Sequence, residues 1–484
     1  MSFIPVPTDA NGYVPMSLAD TAALDGFQRL RVSQSHTLFD SQQEYGLDTL
    51  RTWDCTANGA LPTILSPNGS VVSGGNSVGP RAISGMTPIT CSSTAGHYSI
   101  LQSRQFPRYV PGFAHLILTT GIFATNASYL ASIVLRTDTS GSPTDVREIS
   151  QVDWNIDKFD GSGPSGITLD LTKTQILWIG AQWLGVGRVM VGFDINGRLW
   201  PAHQFLNANI LTVPYCRTFN LPVRYEVVSD TSTTARVGYF ELNNGVFLKT
   251  VNSGAGGTIH FTCCSVQSEG AFEARGFPQS QSMGITPIPV TTRSPVFSIR
   301  PSLTFQGMTN RAHIEIEDFW LTAATNSSVY EIVIGGTLTG ASWLPVGNPT
   351  TAGSFIAGTR YKIISIGSTN FTLIGAASNT VGLSFVATGV GTGTGTATPE
   401  VSVAEYDTSA TTIVGGASSI TGEIVAGSGA TRLGTSGTAN FRNPLVLGLI
   451  NALTAKQHTV SIVCTSTSGT SSIRAGMNWH EQVN

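Results

Sequence analysis

The chain has 484 residues, a formal net charge of −3, charged side chains at only 11% of positions and 53 glycines. Length alone suggests roughly three domains, and the lack of a basic block argues against nucleic-acid binding. Gly, Ser and Thr dominate where helix-building Leu/Ala/Glu/Lys runs would be needed, which points to an all-β protein.

In chain order, MSFIPVPTDANGYVPMS has neither a positive n-region nor an apolar h-region. The longest apolar runs, such as HLILTTGIFA, are far shorter than a bilayer span. The expectation is a chain with no cleaved signal and no membrane insertion. Pro5, Pro7 and Pro15 make the first residues an extended arm, and ADTAALDGFQRL offers one short helical turn. The next stretch, GFQRLRVSQSHTLFDSQQEYG, concentrates charge in a charge-poor chain. Aromatic and Arg anchors with carboxylates that set register suit subunit docking. The candidate docking residues are Phe27, Arg29, Arg31, Phe39, Asp40, Glu44 and Tyr45; an ordinary first strand of the body explains them as simply.

From Thr52 to about Gly276 strand-like runs alternate with turn chemistry. Asn196-Gly197 and Asn244-Gly245 each sit between β-branched and aromatic runs, and both residue types tolerate the positive φ of a tight hairpin turn. Asp153, Asp157, Asp160 and Asp170 surround a Gly/Ser/Pro loop. Their spacing does not match a calcium loop, and a glycosidase pair would require a separation that sequence does not give; loop solvation is the simpler reading. An exposed aromatic on a jelly-roll hairpin can stack on a sugar. Trp183 and Trp200 are therefore a candidate glycan platform, with core or interface packing as the plainer role.

Residues 277–301 hold five prolines, which cannot donate to a central ladder, so a linker is expected there. In AHIEIEDFW, a regular strand puts His313, Glu315 and Glu317 on one face, a wet face rather than a metal site. The segment from Gly353 to Pro399 has no acidic residue, Cys or Trp, and removing 347–400 leaves a smooth join. It reads as a small β module grafted into a surface loop, since closure entropy rises only about 0.6 kcal/mol per doubling of loop length. Leu445 to Leu453 is the one longer helix expected. Six cysteines without C-x-x-C spacing are expected to be buried and reduced. No nucleophile elbow, H-E-x-x-H pair or Walker loop occurs. No catalytic, cofactor-binding or metal residue is therefore assigned.

The opening segment, together with VDWNIDKFDGSGPSGITLDLTKTQILWIGAQWLGVGRV, LPVRYEV, ARVGYFELNNGVFL and VFSIRP, resembles a family of virion structural proteins of tailed bacteriophages with relatives in some large DNA viruses. The segment 353–399 resembles a Thr/Gly-rich β module that recurs in otherwise different phage structural proteins. The resemblance implies a virion location after synthesis in the host cytoplasm, without cofactors. Partners would be other virion proteins and copies of the chain itself, as a homo-oligomer such as a trimer, with a host-surface glycan as a further candidate.

The expected architecture is all-β, of jelly-roll or β-sandwich domains with an extended N-terminal arm and an inserted β module. Its parts would be an arm and docking segment (1–51), a main domain (52–276), a Pro-rich linker (277–301), a second β domain (302–346 with 401–484) and the module (347–400). The expected function is assembly and display in a tail or fibre, with a capsid decoration or head-fibre protein as the alternative. A glycan-degrading tailspike using the Asp153–Asp170 loop or Glu315 and Glu317 is the rival of another class.

Overall fold

The computed structural model describes residues 35–43, 52–57, 71–73, 76–79, 85–103, 105–137, 144–216, 218–229, 235–242, 245–253, 257–269, 277–282, 286–414, 418–425, 427, 429–433, 445–447, 449–451 and 456–482. The arm, Phe27, Arg29, Arg31, Glu44 and Tyr45 lie outside these residues. The fold is all-β, and among the described residues the only helical pieces are two short 3₁₀ turns, Gln151–Asp153 and Phe371–Ile374. No described helix is long and apolar enough to cross a membrane. Two compact units are present, the first within 1–272 and the second chiefly 273–484.

In the first unit, one antiparallel sheet runs in the order Arg198–Phe205, Val189–Ile195, Gln175–Ala181, His115–Ile122, Gly257–Ser268, Thr87–Cys91, Asn76–Val78, Val71–Ser73. A second contains Arg224–Ser229, Ala235–Leu242, Val246–Ser253, Tyr129–Thr137 and Thr144–Ser150. Alternation makes one face of each strand apolar. Leu177, Ile179, Val191, Phe193 and Ile117 are fully buried. Between the sheets, Tyr225 stacks near Phe261 at 4.3 Å and shares a 2.9 Å hydrogen bond with Thr119. The Asn196-Gly197 turn has φ of 58° and 75°, as a two-residue primed hairpin requires. At the second site Leu242 pairs with Val246 and Gly245 has φ 70°, while Asn244 lies outside the described residues.

Phe39 and Asp40 sit on the strand His36–Gln42, which pairs with Gly257–Ser268. Phe39 is buried in its own unit and is therefore not a free docking anchor; Asp40 is exposed.

The second unit is also a sandwich. Its core joins Ile314, Phe319, Leu321, Met477 and Trp479 of one sheet to Phe297, Ile299, Tyr330, Ile332 and Ile462 of the other. Residues 277–301 are not a linker. They form Phe277–Ser282, Ile288–Val290 and Ser294–Pro301, the last lying between Ala404–Asp407 and Val460–Ser466. The prolines fit because each avoids a ladder donor: Pro278 and Pro289 are on strands that pair on one side only, Pro287 lies just before its strand, Pro295 borders a register shift, and Pro301 ends its strand. The expected helix 445–453 is instead two short strands, Leu445–Leu447 and Leu449–Asn451, the first paired with Ile314–Ile316. The six cysteines are unbridged, five of them buried.

Within the second unit, Leu344 pairs with Tyr406 and Pro345 with Glu405, so the chain leaves and re-enters the sheet side by side. Between these points lie Thr350–Thr351, Arg360–Ser365, Ser384–Val386 and Thr396–Pro399, a separate four-stranded sheet. It closes over its own core of Phe355, Tyr361, Ile363, Phe371, Ile374 and Phe385.

Candidate functional site

The first unit gathers its most distinctive chemistry at one end of the larger sheet. His115 pairs with Ala181, Ala181 with Val189, and Val189 with Phe205. That register brings the loops 107–114, 182–188 and 206–223 out of the same end.

The lower layer is aromatic. The Tyr109 ring lies 5.5 Å from His115, 5.4 Å from Trp183 and 4.8 Å from Phe219, mostly edge to face, while Trp183 stacks on Phe219 at 6.1 Å. Such offset pairs contribute about 0.5–1.5 kcal/mol each beyond their buried area. Hydrogen bonds hold the loops over this layer. Leu184 N donates to the Tyr109 hydroxyl (3.2 Å), Tyr215 N to the Gly185 carbonyl (3.0 Å), and Asn207 Nδ2 to the Gly187 carbonyl (2.6 Å). The Arg147 guanidinium donates to Asn207 Oδ1 and lies 4.8 Å over the Phe205 ring.

The 182–188 loop is sharply wound. Leu184 has φ 39°, a left-handed conformation that bulky residues rarely adopt. A Cβ at Gly187 would fall 1.4 Å from the Gln182 carbonyl oxygen, so only glycine fits.

On the same loops Leu184, Leu206, Ile210 and Val213 are exposed, Leu184 at 57% and Ile210 at 64%. The described residues of these loops include Arg108 and Arg188, and Glu269 joins the same end, its N–H donating to the Ala114 carbonyl (2.7 Å). Their titratable groups are inactive near neutrality. Burial pulls His115 down to about 4, against a smaller upward effect of the Arg108 backbone, and burial raises Tyr109 and Tyr215. The arrangement therefore provides apolar and cationic contacts rather than proton transfer.

The residues singled out from sequence fall elsewhere or serve other ends. Trp183 belongs to the lower layer, while Trp200 pairs with Phe193 near the opposite end of the hairpin. About 15 Å of strand separates them at roughly 3.3 Å per residue. Arg198 lies 3.9 Å over the Trp200 ring, and Trp183 is occupied by Phe219 and Tyr109. The two tryptophans thus do not form one glycan platform.

The loop carboxylates are engaged in their own turns. Buried Asp157 accepts from Phe159 N (2.8 Å) and Ser165 N (2.7 Å), Asp160 from Ser162 N and Oγ, and Asp170 from Thr172 N and Oγ1. Those hydrogen bonds hold Asp160 and Asp170 below the usual carboxylate range, opposite to what a general acid requires. In the second unit a register shift between Ile316 and Asp318 breaks the expected face. Glu315 accepts from Gln482 Nε2 (2.8 Å), and Glu317 lies 3.0 Å from His480 Nδ1. Among the described residues, no group of three His, Cys, Asp or Glu is placed to hold a metal ion.

The loop end itself was missed because Tyr109 and Phe219, which meet in it, are 110 residues apart. Runs of aliphatics beside Pro and Asn in LNANILTVP were the one local signal.

No protein-family model matches this chain, and no curated protein matches it. Among solved structures, LamAcat from Zobellia galactanivorans is similar over 48% of this chain and 96% of its own, at 10% identity and a TM-score of 0.17. A lectin from Bauhinia forficata in complex with GalNAc covers 49% of this chain and 97% of its own, at 9% identity and a TM-score of 0.16. The structure of infectious bursal disease virus Gx strain covers 90% and 81%, at 11% identity and a TM-score of 0.08.

Proposed function

We propose that this chain is a virion structural protein of a tailed bacteriophage, acting in a tail or fibre by assembly and display. The observation that carries the reading is the loop end of the first unit, where exposed Leu184, Leu206, Ile210 and Val213 belong to loops that enclose an aromatic cluster and carry Arg108 and Arg188. Aromatic and Arg anchors under an apolar surface are the composition of protein interfaces. Its natural partner is an apolar surface rimmed by carboxylates on another virion protein or a sister chain. The resemblance of the opening segment to phage virion proteins supports the same reading, as does a module carried between adjacent strand ends.

Labelling this chain in intact particles tests the proposal. Label at the tail or fibre supports it, label on the capsid moves the function to decoration, and unlabelled particles overturn it. Ile210→Asp with Val213→Asp should leave the fold intact yet abolish incorporation. Reducing-end release from host polysaccharide by the purified protein would instead establish the tailspike activity.

A further inference from the structure

One partly buried arginine lacks the partner that others in the chain have. Arg224, Arg293, Arg300 and Arg360 meet the carboxylates of Glu226, Glu331, Glu405 and Glu400 at 2.6–4.0 Å. Arg147, on the strand Thr144–Ser150, meets none among the described residues. Burial lowers its pKa with no acid to offset the effect, whereas Glu405 and Asp407 oppose the same effect at Arg300.

The group is also held in place. Arg147 pairs with Leu135 beside a register shift, and its guanidinium lies 4.8 Å over the Phe205 ring and donates to Asn207 Oδ1. Asn207 is buried, and its Nδ2 donates to the Gly187 carbonyl (2.6 Å), which fixes its oxygen towards the arginine. The His203 ring, 4.7 Å from that of Phe205, accepts from Asn155 N at Nδ1 (3.2 Å) and so carries its proton on Nε2. Burial and the Arg147 charge keep this imidazole neutral near neutrality.

The chemistry narrows the occupant. A guanidinium has five donors, and Asn207 takes one. A cation already oriented and partly desolvated gains most from a planar anion that accepts two parallel N–H groups. One positive charge beside a neutral imidazole matches one negative charge, a carboxylate rather than a phosphate dianion. Phe205 is buried and covered by Arg147, so no ring is free there to stack on a sugar. Asn207 instead shares its turn with exposed Leu206 and with exposed Ile210, whose N–H donates to the Asn207 carbonyl (3.2 Å). An acidic side chain flanked by aliphatic ones suits both features.

We propose that Arg147, fixed by Asn207 and Phe205, is a docking site for an Asp or Glu side chain of a protein partner, with apolar contacts supplied by Leu206 and Ile210. This names the partner chemistry of the surface proposed above and rests on that reading.

The test uses full-length protein with ¹³C-labelled histidine, the His203 ring signal being identified by its loss in His203→Gln. At pH 7 the peptide acetyl-Leu-Glu-Leu-amide should shift that signal saturably, and acetyl-Leu-Gln-Leu-amide should bind about tenfold or more weakly. Arg147→Gln should abolish the preference for the Glu peptide. Arg147→Lys, which keeps the charge without the fork, should retain part of it, while the other histidine signals report an intact fold. Equal binding of both peptides, no shift, or a preference that survives Arg147→Gln would overturn the proposal. Tighter binding of glucuronate than of the Glu peptide would overturn it in favour of an acidic sugar. Particle labelling tests the virion assignment separately, so the two readings fail by different results.

Discussion

Acid sensitivity of the first unit provides a quantitative check on the site. His115 is 1% exposed among Tyr109 and Phe219. Burial lowers its pKa from 6.5 to about 4. A base with a depressed folded pKa contributes stability above its unfolded value that is lost as pH falls from about 6.5 towards 4. At 1.36 kcal/mol per pKa unit, the loss between pH 7 and pH 4 is about 3 kcal/mol. With a urea slope of about 2 kcal/mol/M, the midpoint should fall by about 1.5 M over that interval. His115→Phe keeps the ring contacts and removes the proton-binding site, so its share of the drop should disappear. An acid limb of similar size should persist from His203, which burial and the Arg147 charge also lower to about 4, so the variant should lose about half of the combined pH dependence. Tryptophan fluorescence in urea at pH 7, 6, 5 and 4 is the assay, with Trp178 and Trp183 as reporters. An unchanged acid limb in the Phe variant would refute the assignment, because the slope is insensitive to any packing strain the larger ring adds.

Three further outcomes are expected. Glu481 is buried with Ser402 Oγ, Val403 N (3.1 Å) and Trp479 Nε1 (3.0 Å) donating to it, and burial raises its pKa above the ordinary 4.5. Its contribution is therefore fully present below about 4.5 and is lost as pH rises through the folded value; Glu481→Gln should flatten that limb in pH-dependent melts. Glu481→Ala, which strands the three donors, should cost about 2–4 kcal/mol by chemical denaturation. Gly187→Ala should destabilise the first unit by about 3 kcal/mol or more, measured the same way, through the clash at Gln182. Replacing 347–400 by a short Gly-containing turn should lower host stability by only about 1 kcal/mol by calorimetry, because Glu405 keeps its 2.6 Å ion pair with Arg300.

Local chemistry was readable. The all-β class follows from alternation and from Gly, Ser and Thr content, and the Asn196-Gly197 hairpin from two residues able to take positive φ. The composition change around 353–399 coincides with a separate sheet and core. Proline misled the reading of 277–301, because whether a strand can hold Pro depends on which of its edges is paired. The apolar run 445–453 misled it as well. Short apolar runs suit helix and strand alike, and pairing with Ile314–Ile316 decides this one.

The amino-acid order by itself determined where the chain turns, which strand faces are apolar and which segment is uncharged, since each depends on neighbours a few residues away. Only the tertiary structure decided that Phe39 is buried in its own sheet, that the Asp loop binds its own backbone, and that three loops meet in one aromatic cluster of Tyr109, Trp183 and Phe219. Those outcomes depend on register between strands far apart in the chain, where a one-residue slip turns every side chain to the other face.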